Sequence, residues 1–128
     1  MLGLLTQMLP AVAQQSTVGR ILAVKRWLDR HYTEDCSIPQ LAERANLSPN
    51  WFSTVFRTTV GSTPKAYLIA LRLEHAAYLL KETEQSITEI AHRVGYNDLA
   101  NFIHAFQHQY GDSPLLYRNN YRGSQRSR

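Results

Sequence analysis

The sequence predicts an all-α fold. Apolar residues recur at helical spacing from residue 18 onward, and no stretch alternates apolar and polar residues for long enough to make a convincing strand. A third observation is decisive: one small helical unit is written twice. Ser37-Ile38-Pro39-Gln40-Leu41-Ala42-Glu43-Arg44 matches Ser86-Ile87-Thr88-Glu89-Ile90-Ala91-His92-Arg93 at an offset of 49. Phe52, Phe56, Gly61, Pro64 and Tyr67 then match Phe102, Phe106, Gly111, Pro114 and Tyr117 at an offset of 50.

The first helix begins near residue 18, with Ile21, Leu22, Val24, Trp27, Leu28 and Tyr32 along one apolar stripe. Residues 1–17 are set apart as a leader or linker. Leu2, Leu4, Leu5, Met8 and Leu9 faintly suggest a signal peptide, but no basic region precedes them and Gly3, Thr6 and Gln7 interrupt the run. This stretch is too short for a sensing domain. The chain is therefore expected to be either a stand-alone protein or the end of a longer one.

Residues 18–63 form the first subdomain. Ser37 with Gln40 reads as a capping box opening a short helix, and Asn46 can turn its end through a left-handed conformation. Ser48-Pro49 then gives an N-cap and a first-turn proline for a second helix over about residues 49–60. Residues 64–82 form a linker helix, with Tyr67, Leu68, Leu71, Leu73, Ala76, Leu79 and Leu80 on a wide apolar face. Its core of eighteen residues would span roughly 27 Å. Residues 83–121 repeat the first plan: a Ser86–Glu89 capping box, a turn at Gly95, a cap at Asn97-Asp98 and a second helix over about 98–110. Each subdomain is thus a helix-turn-helix. Residues 122–128 are a basic tail with the composition of a disordered segment.

Composition excludes several classes. No run of eighteen apolar residues exists, so no membrane span is expected. The single cysteine, Cys36, excludes an internal disulfide and fits a reducing, cytoplasmic setting. No Gly-rich phosphate loop, paired-cysteine motif or supported Ser/His/Asp arrangement is present, so the chain is not expected to be an enzyme or to hold a cofactor. His104 and His108 share a helix face, but no third ligand accompanies them, and no metal is expected. The net charge is +4, yet residues 1–117 carry ten basic and ten acidic side chains. All of the excess lies in Arg118, Arg122, Arg126 and Arg128.

The second helix of each unit divides into two faces. Phe52, Val55 and Phe56 make the core side of the first copy, leaving Asn50, Ser53, Thr54 and Arg57 outward. These short hydrogen-bonding groups suit base edges in a major groove, and equally suit a plain solvated face. In the second copy the outward strip is Ala100, Ile103, His104 and Gln107, where Ala100 or Ile103 could meet a thymine methyl. The linker helix would present the two helices to successive turns of one groove, about 34 Å apart.

Together these residues resemble the AraC/XylS family of bacterial transcription regulators. The resemblance rests on Ile87-Thr88-Glu89-Ile90-Ala91 with Val94-Gly95-Tyr96, then Phe102, Phe106, Gly111, Ser113-Pro114 and Tyr117-Arg118. The first copy adds Leu41-Ala42, Leu47-Ser48, Phe56-Arg57, Gly61, Pro64, Tyr67, Arg72-Leu73 and Ala76. It implies a seven-helix domain with two helix-turn-helix subdomains joined by a long helix. It also implies sequence-specific binding of double-stranded DNA and activation of transcription through RNA polymerase. The expected DNA-binding residues are Asn50, Trp51, Ser53, Thr54, Arg57, Ala100, Asn101, Ile103, His104, Gln107, His108, Arg118 and Arg122. No small-molecule ligand is evident in this segment.

The chain departs from the family's pattern at Thr54 and His104, where arginine is common, and at Gln107 and His108, where a basic residue is common. The first unit is therefore expected to do more polar readout. The second is expected to rely on apolar contacts, DNA shape and helix N-termini. Histidine side chains charge near mildly acidic pH, so DNA binding is expected to be tighter near pH 6 than near pH 8. The competing expectation is a member with weakened DNA binding that acts mainly as a protein–protein interaction module.

Overall fold

The computed structural model describes the backbone of residues 2–126 and the side chains of residues 17–125. The described residues hold seven helices and no strand: α1 (Leu2–His31), α2 (Ile38–Arg44), α3 (Pro49–Val60), α4 (Pro64–Glu82), α5 (Ile87–Arg93), α6 (Leu99–Tyr110) and α7 (Pro114–Arg126). Two expected boundaries fall inside helices. Residue 18 lies within α1, and the start of the basic tail lies within α7. The side chains of the apolar leader and of Arg126, and all of Arg128, lie outside the described residues.

The helices start and stop where local chemistry dictates. Both capping boxes form, at Ser37 with Gln40 and at Ser86 with Glu89. Ser48 accepts from the Trp51 amide to open α3, and Asp98 accepts from the Ala100 and Asn101 amides to open α6. Each such cap stabilises a helix by roughly 1 kcal/mol. The turn between the paired helices is left-handed in both copies, at Asn46 (φ 56°) and Gly95 (φ 102°). Glycine is required at 95 on a second count. A Cβ there would sit 3.0 Å from the Thr33 Cα and carbonyl oxygen and from the Arg72 Cζ. Thr63 and Ser113 accept from the Ala66 and Leu116 amides and so open α4 and α7 in the same manner.

The chain forms two compact units. The first comprises α1, residues 36–63 and the start of α4 as far as Tyr67. Here α1 packs on α2 and α3, burying Ile21, Val24 and Leu28 with Leu41, Ala42, Ala45, Phe52 and Phe56. The second comprises residues 32–35 and everything from Leu68 onward. Its core joins Leu73, Ala76, Ala77 and Leu80 to Ile90, Ala91, Val94, Phe102 and Phe106. The duplication reaches the ring geometry. Phe52–Phe56 and Phe102–Phe106 lie 5.7 and 5.9 Å apart, both tilted at 47°. Tyr67 and Tyr117 then meet Phe56 and Phe106 edge-on.

Arginine–carbonyl clamps complete both units. Arg20 donates to the Ala45 carbonyl at 3.0 Å, closing the end of α2. Arg72 donates to the Tyr32 and Glu34 carbonyls at 2.6 and 3.1 Å. Fifty positions later, Arg122 donates to the Thr83 carbonyl at 3.1 Å and pairs with the Glu84 carboxylate at 2.9 Å. Thr33-Glu34 and Thr83-Glu84 stand at that same spacing. The repeat is therefore longer than the helix-turn-helix alone.

Candidate nucleic-acid interface

Burial of Phe52 and Phe56 fixes the rotation of α3 about its axis. With those two turned inward, Asn50, Thr54 and Arg57 are exposed and Ser53 is half-buried. Trp51, in the first turn, is 54% exposed despite its size. The strip is uncharged except for Arg57 at its end. Thr54 is not a free donor, because its hydroxyl is given to the Asn50 carbonyl at 3.0 Å. Thr58 does the same to the Thr54 carbonyl at 2.9 Å.

In α6, burial of Phe102 and Phe106 leaves Ala100, Asn101, His104, Gln107 and His108 exposed. His104, Gln107 and His108 line a shallow depression of ≈ 270 Å³. The helix carries no lysine or arginine. Ile103 is not a simple outward residue: it is half-buried and packs against the core of its unit. The expected freely outward side chain instead flanks the buried face, because Ile103 follows Phe102 directly and lies within about a quarter turn of the side that Phe102 and Phe106 turn to the core. The N-terminus of α6 is likewise less available than expected. The Asp98 carboxylate takes the Ala100 and Asn101 amides at 2.8 and 3.3 Å and places a negative charge where a phosphate would sit.

The two arginines expected at phosphates, Arg118 and Arg122, both have partners within the second unit. Arg118 is 7% exposed. Its guanidinium donates to the Leu80 carbonyl at 2.9 Å and the Thr83 carbonyl at 3.1 Å, satisfying acceptors at the end of α4. Burial, and then the neighbouring Arg122, pull its pKa below the ordinary arginine value, while Glu84 opposes them. Arg122 is half-buried and held by Thr83 and Glu84. Arg57 thus remains as the exposed cation on the two second helices. The structural role of Arg20 had no signal at the level of motifs, whereas Arg72 belongs to the family pattern and its fifty-residue spacing from Arg122 marks its role.

The profile of a family described as a helix-turn-helix domain matches residues 41–120, which include both second helices. The chain belongs to the AraC/XylS family. Among curated AraC-type relatives, the raffinose operon transcriptional regulatory protein RafR of Pediococcus pentosaceus is 38% identical over 104 residues, covering 81% of this chain and 37% of RafR. The transcriptional activator RhaS of Escherichia coli (strain SE11) is 31% identical over 100 residues, covering 78% of this chain and 36% of RhaS. The chain spans about a third of the length of these curated relatives. Among solved structures, the DNA-binding domain of AdpA, a global transcriptional factor crystallised with a target DNA, is 33% identical with a TM-score of 0.79. That match covers 82% of this chain and 95% of the AdpA domain. The chain accordingly carries an AraC-type DNA-binding domain. Its relatives are regulators rather than enzymes. No helix among the described residues is long and apolar enough to cross a membrane.

Proposed function

We infer that this chain binds double-stranded DNA sequence-specifically and regulates transcription in the cytoplasm, as an activator that contacts RNA polymerase. In this reading α3 and α6 enter successive major-groove segments. The observation that carries it is the matched pair of exposed strips, Asn50-Thr54-Arg57 and Ala100-His104-Gln107, each on the second helix of a helix-turn-helix and each backed by two buried phenylalanines. RhaS is named an activator and AdpA was crystallised on a target DNA, which supports the same role here. Phosphate contacts position such a protein and base-edge contacts specify its site.

A second reading has its own observation. The described face of α6 holds no lysine or arginine, and a negative cap stands at its start. A chain that had weakened its DNA binding in this way would work mainly through a protein partner. Titration of random-sequence duplex DNA at rising salt separates the two, because affinity falls with salt in proportion to the phosphates neutralised. Steeply salt-dependent binding supports the regulator. No binding even at low salt supports the interaction module. Selection of bound sites from randomised duplexes then gives both half-sites and their spacing.

A further inference from the structure

Resting on the DNA-binding reading above, we propose that Thr54 recognises a thymine by methyl-to-methyl contact and not by its hydroxyl. The side chain is exposed on the outer strip of α3, between Asn50 and Arg57. A hydroxyl has a single proton to give. That of Thr54 goes to the Asn50 carbonyl one turn back, at 3.0 Å. Donation to guanine O6 or N7, or to thymine O4, would break this bond. Folding Oγ1 onto the preceding turn leaves the other branch of Cβ, the methyl group, as the part the side chain offers outward. In the major groove only thymine among the four bases presents a methyl group. The chemistry selected at this position is therefore apolar, although threonine reads as polar in sequence.

The hydroxyl keeps lone pairs that could accept from adenine N6 or cytosine N4, and this rival reading is separable. Thr54→Val keeps the methyl and removes the hydroxyl; Thr54→Ser does the reverse. Wild type and both variants are titrated with the duplex recovered by selection, and with duplexes in which each thymine in turn is replaced by deoxyuridine, which lacks only the methyl. At one thymine, wild type and Thr54→Val should lose about fourfold in affinity on replacement, the value of one methyl group buried. Thr54→Ser should bind the two duplexes equally. The proposal is overturned if Thr54→Ser keeps the loss, if Thr54→Val abolishes it, or if no thymine in the wild-type site is methyl-sensitive. Circular dichroism melts check that the variants fold. A wild-type chain that binds no duplex at all overturns the DNA-binding reading itself. One that binds with a normal salt slope but ignores the methyl overturns this inference alone.

Discussion

Arg118 belongs to the most recognisable motif in the sequence, yet it turns away from solvent. Its guanidinium holds two carbonyls near the end of α4, and the loss of one buried acceptor's partner costs about 1–3 kcal/mol. Arg118→Ala should lower stability in chemical denaturation by about that much or more. DNA affinity, measured where the variant is still folded, should change little. A large affinity loss without destabilisation would restore Arg118 to the interface. Three tyrosines make a second residue-scale prediction. Burial raises the pKa of Tyr67, Tyr96 and Tyr110, with the Asp29 hydrogen bond adding to Tyr67. A raised phenol holds its proton more tightly in the folded chain than in the unfolded one. Its stabilising contribution is therefore full below the ordinary phenol value of about 10 and is lost as pH rises through the raised values. Thermal midpoints should fall above about pH 10, and phenolate absorbance should rise together with unfolding. Tyrosines that ionise freely in the folded chain would contradict this.

At the scale of the helix, most of what holds these units together was legible in the sequence. Ser37, Ser48, Ser86 and Asp98 announced helix starts because a cap is a local device, decided within three or four residues. Phe52, Phe56, Phe102 and Phe106 announced the buried face because two aromatics one turn apart fix a helix's rotation. What stayed hidden was non-local. The carbonyls that capture Arg118 lie 38 and 35 residues upstream, and those that hold Arg72 lie as far away. Nothing in a motif records which carbonyls lack a donor. The half-burial of Ile103 was hidden for the same reason, since packing decided it. The outer strips, once placed, differ in charge. Arg57 is the exposed cation of α3, and α6 has only His104 and His108. Arg57→Ala should reduce the slope of log affinity against log salt by about 0.9, the value for one phosphate.

At the scale of the whole chain, the excess positive charge is confined to the C-terminal arginines and is partly engaged there. Residues 1–117 are formally neutral, and of the four arginines beyond them two are engaged by the second unit itself. α7 continues through Gly123 to Arg126, so the segment that reads as disordered in composition starts as helix. Tyr121, over whose ring Lys81 lies at 5.6 Å, helps to anchor that helix. Only Arg126 and Arg128 remain as candidates for a general electrostatic contribution from the tail. Deleting residues 123–128 tests this without touching Arg118, Arg122 or Tyr121. If both arginines neutralise phosphates, the salt slope should fall by up to about 1.8 and affinity for every duplex should drop in parallel. The ranking of sites recovered by selection should not move, because contacts to phosphates carry no base information. A changed ranking would mean that the tail reads bases or reshapes the α6 surface. An unchanged slope would mean that the tail's two arginines have no part in DNA binding, leaving the basic residues of the domain, Arg57 among them, and the polar strips to account for it.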